Sequence, residues 1–396
     1  MSGGPTVGAI LTLNAGSSSL KLAIFDLVAS GALLPWRRGE LRQDGAAQRF
    51  RLRDADGVTI VNEVWSEARF DASLGHLLAR IDGELAGRRL IGIGHRVVHG
   101  GAGHRMPEEV TPELLALLGE LAELAPLHVP HNLAPIREIA LARPDMRQVV
   151  CFDTAFHRTI PTVATRFALP REFESRGIRR YGFHGLSYEY VARRLAVLSP
   201  RLYAGRVIAA HLGNGASLCA LKGGESIDTT MGFTALDGLV MGTRCGALDP
   251  GALLHLMRWE GLSVDEAERL LYTRSGLLGL SGISNDMRVL LESGEPAAAE
   301  AVDVFIHRIV REAGALASIL GGLDGLVFTA GIGENAPEIR ARVCERLGWL
   351  GLRLDETANA DGAEIISAPD SAVEVRVIAT DEEAMIAEHV RDLPAA

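Results

Sequence analysis

The chain lacks the features that would place it in a membrane or on a nucleic acid. No apolar run is long enough to cross a bilayer. The start, Met1-Ser2-Gly3-Gly4-Pro5, has neither the charged nor the apolar segment of a signal peptide. There is no long basic run, and the formal net charge is −10, which argues against nucleic acid and against an anionic membrane surface as partners. Cysteine is scarce: Cys151, Cys219, Cys245 and Cys344 stand far apart, with no C-x-x-C among them. That pattern favours free thiols in a reducing cytosol over a disulfide framework or a zinc site, so a cytoplasmic location is expected. Low-complexity segments and long linkers are missing too. So is G-x-x-x-x-G-K-[ST], which excludes a P-loop.

What is present is a globular composition, 47% hydrophobic and 23% charged, over 396 residues. That length exceeds one ordinary core and predicts two domains of roughly 150–200 residues each. One stretch near the start stands out. Ala9 to Leu13 and Leu20 to Phe25 are apolar and read as two strands, and Asn14-Ala15-Gly16-Ser17-Ser18-Ser19 between them reads as a hairpin turn followed by Lys21. Such a turn gathers backbone N–H groups, hydroxyls, an amide and an ammonium, a set suited to phosphate oxygens or a metal bound to them. Taken alone, it is equally a Ser-rich surface hairpin. A partner elsewhere in the chain decides between the two.

The segment to about Val64 reads as strands and turns, Ala68 to Leu90 as a helix, and Ile91 to Gly101 as a strand entering a Gly-rich loop. Pro112 to Leu124 has leucines at helical spacing. Ala125 to Asn132 reads as loop, Ile136 to Ala142 as helix, and Gln148 to Phe152 as a buried strand ending at Asp153. Arg179 to Gly185 is a polar loop before a helix through Leu195. Then Arg206 to Leu221 repeats the opening grammar, strand, Asn-Gly-Ser turn, strand, as an internal duplication would. This is the partner: two phosphate cradles, one in each half. A third piece, Asp324 to Pro337, reads as a buried strand, a glycine turn and a helix, a backbone arrangement suited to close approach of a nucleotide. Gly331 to Ala336 also fits G-x-G-x-x-A, but without the early βαβ unit of a dinucleotide site. Val373 to Ala379 reads as a strand, and Thr380-Asp381-Glu382-Glu383 caps a helix to about Val390, an acidic pair that also suits the helix dipole. His95 and His99 stand at i, i+4 in a strand–loop and read as structural.

Five motifs, taken in order over nearly the whole chain, resemble those of the acetate kinase (acetokinase) family of the acetate and sugar kinase, Hsp70 and actin superfamily. They are Asn14 to Lys21; Gly94 to Gly101; Phe152 to His157; Thr229 to Thr234 with Gly242-Thr243-Arg244; and Phe328 to Asn335. The resemblance implies an α/β fold of two related actin-like ATPase (ribonuclease H-like) domains with the active-site cleft between them. The expected domains are 1–153 plus 384–396, and 154–383, with hinges near Asp153 and Glu383. It implies a homodimer, and reversible transfer of the ATP γ-phosphoryl group to acetate, giving acetyl phosphate and ADP, with Mg²⁺ or in its place Mn²⁺.

Roles follow from the resemblance position by position. Asn14 and Glu382 would hold the metal. Ser17, Ser19 and Lys21 would lie beside the transferring group and the nucleotide phosphates. Arg96 and Arg244 would bind carboxylate and phosphoryl oxygens; Asp153 holds the place treated as the active-site acid; His184 would stabilise the transition state, with His128 close by. His211, Leu212, Gly213, Asn214, Gly215, Asp286, Met287, Arg288, Gly331, Ile332, Gly333, Glu334 and Asn335 would line the ATP site. Val98, Leu127, Phe183 and Ala235 would wall the acyl pocket. Ala235 stands where the family has proline, and Cys245 where serine is common, so propionate is an expected second substrate.

Chemistry sharpens one of these roles. The acceptor carboxylate is ionised at pH 7 and needs no general base, so Asp153 is expected to orient an arginine or assist the metal. The competing readings are an Hsp70- or actin-type ATPase module, disfavoured by the paired Arg96 and Arg244, and a dinucleotide oxidoreductase, resting on Gly331 to Ala336 alone.

Overall fold

The computed structural model describes residues 5–16, 19–45, 47–66, 70–121 and 128–394. The chain divides into two compact units, Met1–Ala155 with Asp381–Ala396, and Phe156–Thr380. Glu382 and Glu383 fall in the first unit.

In the first unit, β1 (Thr6–Ala15), β2 (Ser19–Val28), β3 (Leu33–Asp44), β4 (Ala47–Asp54), β5 (Thr59–Trp65), β6 (Leu90–Val97), β7 (Glu108–Glu109) and β8 (Gln148–Phe152) form one sheet in the order β5-β4-β3-β2-β1-β6-β8-β7. β1 is apolar almost throughout because it is central and covered on both faces. One face, with Leu11, Leu13, Leu22 and Ile24, packs on the helix Phe70–Glu84 and on Ile139 of the helix Val129–Ala142. The other face receives the C-terminal helix Glu382–Asp392. A side chain at Gly92 would lie 2.9 Å from Val390, and one at Gly94 would collide with Ile386, so bare backbone in β6 lets the helix sit down on the strand. Asp381 caps that helix by accepting from Ala384 N.

In the second unit, β9 (Arg206–Leu212), β10 (Ala216–Lys222), β11 (Glu225–Thr229), β12 (Gly325–Thr329) and β13 (Glu374–Val377) run in the order β11-β10-β9-β12-β13. β9 pairs antiparallel with β10 and parallel with β12, and β12 runs parallel to β13. The first unit repeats this: β1 pairs antiparallel with β2 and parallel with β6, which runs parallel to β8. The echo read in Asn14–Lys21 and His211–Ser217 is thus carried by whole sheets. A 25-residue helix, Pro296–Leu320, lays a stripe of buried residues, Val302, Phe305, Ile306 and Ile309 among them, against the unit. No helix among the described residues is long and apolar enough to cross a membrane.

Several elements differ from the sequence expectation. The helix expected over 68–90 ends at Glu84, and Leu90 already begins β6. The helix expected to end at Leu124 is described only as Pro112–Glu120; residues 122–127 lie outside the described set. Val129 to Asn132, expected as loop, are the first turn of a helix: proline is tolerated at helix starts, where its missing N–H is no loss. The glycine turn expected after β12 is the short helix Ala330–Asn335, entered through Ala330 at φ 65°. The strand expected over 373–379 is only Glu374–Val377.

Candidate functional site

In the first unit the β1–β2 turn, the end of β6, the end of β8 and the start of the C-terminal helix converge. Arg96, on β6, is gripped by Asp153: Nε donates to Oδ1 and Oδ2 at 3.0 and 2.9 Å, and Nη2 to Oδ2 at 2.5 Å. Asp153 is fully buried. Arg96 Nη1 donates to Asn14 Oδ1 at 3.0 Å, Asn14 Nδ2 donates to Glu382 Oε2 at 3.1 Å, and Arg96 Nε lies 3.9 Å from Glu382. Burial disfavours the charged guanidinium, but the fields of Asp153, Glu382 and Glu383 outweigh it and hold Arg96 above its ordinary value. Burial pushes the Glu383 carboxyl up, aided by Glu382 and opposed by Lys21. Lys21, which is exposed, and half-buried Glu383 line a hollow of about 210 Å³ with Arg38, Arg51 and Arg53. Arg38 is in turn paired with Asp381.

Asn132, absent from the sequence expectation, braces this corner. Its Nδ2 donates to Ala15 O at 2.6 Å and its Oδ1 accepts from Val98 N at 3.0 Å, tying the turn to the end of β6. Its place beside His128-Val129-Pro130-His131 in the sequence was the available signal. His128 precedes the helix that carries Asn132, with its carbonyl accepting from Asn132 N. Val98 is buried. Ser19 opens β2 and is half-buried. Ser17 and Leu127, expected at the phosphoryl group and the acyl pocket, lie outside the described residues. His95 and His99 are buried and pushed down to about 4, chiefly by burial. His95 bonds Gln148 at 2.8 Å, and His99 Nδ1 accepts from Gly101 N at 2.8 Å.

In the second unit a further cluster surrounds the β9–β10 turn. His184 takes the left-handed region at φ 59° to start the helix Gly185–Leu198, strain of about 1–3 kcal/mol that a non-glycine residue holds only where its surroundings demand it. Its ring stacks on His211 with centroids 4.1 Å apart, and its Nδ1 lies 2.8 Å from Ser217 Oγ. His211 Nδ1 bonds Ser187 Oγ at 2.8 Å. Arg244 Nη1 donates to Ala235 O at 2.5 Å. A methyl on Gly215 would meet Arg244 Nη2 at 2.6 Å and His184 Nε2 at 3.1 Å, so both side chains press on a bare backbone. Gly242 N donates to Asn214 O at 2.9 Å, and Gly213 N to Gly215 O at 3.0 Å. The residues expected at the nucleotide, His211 to Gly215, thus meet His184 and Arg244 in space.

Other expected nucleotide residues divide. Asp286 caps the helix Met287–Glu292, accepting from Arg288 N at 2.9 Å, and pairs with the Arg288 side chain, which holds its carboxyl below the ordinary value. Leu212 and Met287 are buried, so neither side chain faces a ligand at the surface. Phe183 is buried as well, its carbonyl bonded to His157 Nε2 at 2.9 Å. Gly331, Ile332 and Gly333 lie in the short helix, not in a turn. Glu334 is spent internally, accepting from Ala330 N at 2.7 Å and Thr380 N at 3.0 Å. Asn335 Nδ2 donates to Gly331 O at 2.9 Å. Beneath them lies Arg340, 1% exposed, which donates to the carbonyls of Gly333, Glu334 and Asn359 and to Asn359 Oδ1. Nothing in the sequence distinguished this arginine from the solvated ones of an amphipathic helix.

Among the described residues, no group of three or more His, Cys, Asp or Glu forms a ready metal cage. The corner supplies the Glu382 carboxylate and the Asn14 amide oxygen, the latter accepting from Arg96 Nη1 and the amide Nδ2 donating to Glu382. That suits Mg²⁺, which is held by one or two carboxylates with water and substrate phosphates supplying the rest.

The profile of the Acetokinase family matches residues 9–388. An acetate kinase of Rhodopseudomonas palustris (strain TIE-1) is 51% identical over 394 residues, covering 96% of this chain and 97% of that one. One from Nitrobacter hamburgensis is 49% identical over 387 residues, covering 97% and 96%. Among solved structures, Porphyromonas gingivalis acetate kinase superposes with TM-score 0.85 at 37% identity, covering 96% and 98%. A propionate kinase from Francisella tularensis superposes with TM-score 0.89 at 36% identity, covering 97% and 99%. The α/β, actin-like class expected from the sequence is borne out. The chain belongs to the acetokinase family.

Proposed function

We propose that the chain carries out the reaction for which its relatives are named, reversible in-line transfer of the ATP γ-phosphoryl group to the carboxylate of acetate, giving acetyl phosphate and ADP. The observation that supports it best is Arg96, a cation fixed by buried Asp153 beside the Asn14–Glu382 corner and ready to meet an anion. An ionised acceptor asks for no base, so positioning and charge neutralisation are what the protein must supply. Arg96 orients the carboxylate. Asp153 orients Arg96 and moves no proton. Arg244 and His184 stabilise the charge on the equatorial oxygens of the transferring group. Lys21, Ser17 and Ser19 hold phosphate oxygens, and the backbone of His211 to Gly215 takes the nucleotide. Glu382, with Asn14 behind it, would hold Mg²⁺, which when bound neutralises phosphate charge.

We further propose a homodimer working in the cytoplasm. Propionate is a second substrate on this reading, because Ala235 leaves space where a larger residue would stand, and one methylene is worth only ~1–3 kcal/mol. The test is stereochemical: direct transfer from chiral γ-phosphorus inverts configuration. Net retention, or a phosphoenzyme competent in turnover, would overturn the in-line reading.

A further inference from the structure

We propose that Tyr188 and Ser217 are positioning residues that lock His184 in the neutral tautomer with its proton on Nε2, directed at the backbone beside Arg244. This rests on the reading of His184 as a group that stabilises the transferring phosphoryl oxygens, and it adds the form in which His184 does so.

The protons of a buried chain of hydroxyls decide the tautomer. Tyr188 and Ser217 are both fully buried. Tyr188 Oη lies 2.5 Å from Ser217 Oγ. Ser217 Oγ lies 2.8 Å from His184 Nδ1. A tyrosine and a serine hydroxyl each carry one proton, and among the described residues no further acceptor is bonded to either. The tyrosine proton goes to Ser217 Oγ, the acceptor at 2.5 Å. The serine proton then goes to the remaining neighbour, His184 Nδ1. Nδ1 is therefore an acceptor, and the ring proton sits on Nε2. The opposite assignment, Nδ1–H donating to Ser217, leaves one hydroxyl proton in the chain without an acceptor.

Surroundings fit a neutral ring. Burial raises the Tyr188 hydroxyl well above its ordinary value, so it keeps the proton the chain needs. His211 stacks on His184, and Arg244 reaches the same backbone, so a charged His184 would meet the like charge of Arg244 there. Arg244 thus brings the positive charge, and His184 a directed neutral hydrogen bond. The chain passes through Ser217 on β10, which pairs with His211 on β9, and ends on His184. The strand pairing that builds the nucleotide cradle therefore also sets the histidine.

The experiment uses the full chain with ¹⁵N-labelled histidine, the His184 signals being assigned by their loss in His184→Asn. The expected result is an unprotonated Nδ1 and a protonated Nε2 at pH 7.5. Tyr188→Phe and Ser217→Ala should each move His184 toward a mixture of tautomers and lower kcat by ~10-fold or more, within the range seen when one transition-state donor is disturbed. KM for ATP should change little, and Ser217→Thr should restore most of the loss. The double variant should be no slower than Ser217→Ala, because the two act through one chain. A protonated Nδ1 in the unmodified protein overturns the proposal, even if every variant misfolds. So do independent, multiplicative losses in the double variant. Absence of any acyl-phosphate formation would instead defeat the reading of the reaction, leaving the tautomer measurement intact.

Discussion

Asp153→Asn separates orientation from proton transfer. The side chain is buried at 0% exposure and makes three contacts within 3.0 Å to Arg96. Asparagine keeps the shape but removes the charge and one acceptor, so Arg96 loses its buried counter-ion. Net hydrogen bonds to a charged group are worth ~1.5–3 kcal/mol. If that loss falls on the placement of Arg96, kcat/KM for acetate should drop ~10- to 160-fold. Breaking a buried pair from one side costs ~3–5 kcal/mol of stability, which for a unit of this size lowers Tm by ~6–20 °C. The assay is hydroxylamine trapping of acetyl phosphate across pH 6–9, with Tm read by calorimetry. The variant should show a lower curve of unchanged shape. Two results would refute the reasoning. One is a limb in the unmodified enzyme's pH profile that vanishes in the variant, the mark of a proton-transferring carboxyl. The other is activity within twofold of the parent at unchanged Tm.

Lys21→Ala and Asn14→Ala should each cut kcat ~100-fold or more; for Lys21, exposed in its strand, stability should stay within ~0.5 kcal/mol, and near-normal turnover in either variant would remove the hairpin from the site. Gly215→Ala should displace Arg244 and His184 and slow turnover at least ~10-fold by misplacing both; wild-type kcat would show that the crowding is harmless. Ser263→Ala removes one side of a capping box far from either cluster in sequence and should cost ~1 kcal/mol without touching kcat, checked by Tm and assay together. His95, His99 and His157 are held by burial near 4 from 6.5. Below about 6.5 the unfolded chain takes up protons that the folded chain refuses until about pH 4. Their stabilisation is thus complete above 6.5 and is lost as pH falls toward 4, by ~1.4 kcal/mol per pH unit for each. A Tm that stays flat from pH 7 to pH 5 would contradict this.

Legibility in the sequence followed locality. The β1–β2 and β9–β10 hairpins were readable because strand, turn and strand are consecutive and each apolar run is broken by Asn, Gly and Ser. Elements whose conformation depends on distant packing were not. The helix Ala330–Asn335 looks like a glycine turn in sequence and is helical because Arg340, several residues on, gathers its carbonyls. Val129 to Asn132 look like loop because two prolines lie near, yet Pro130 sits where a helix start accepts it. Among the candidate site residues, Asn14, Arg96, Asp153, His184 and Arg244 stood out through motif resemblance. Asn132, Ser217 and Tyr188 carried little signal of their own, since each acts by touching a residue far away in the chain. Glu334 illustrates the converse: it sits in a recognisable motif, and its carboxylate is bonded to its own backbone surroundings.

The most direct test of the account is to incubate the chain with Mg·ATP and, in turn, formate, acetate, propionate and butyrate, trapping any acyl phosphate as the hydroxamate. Acetate should give the highest kcat/KM, propionate a measurable fraction of it, and omission of the metal should abolish both. Acyl phosphate from none of the four acids would contradict the central claim.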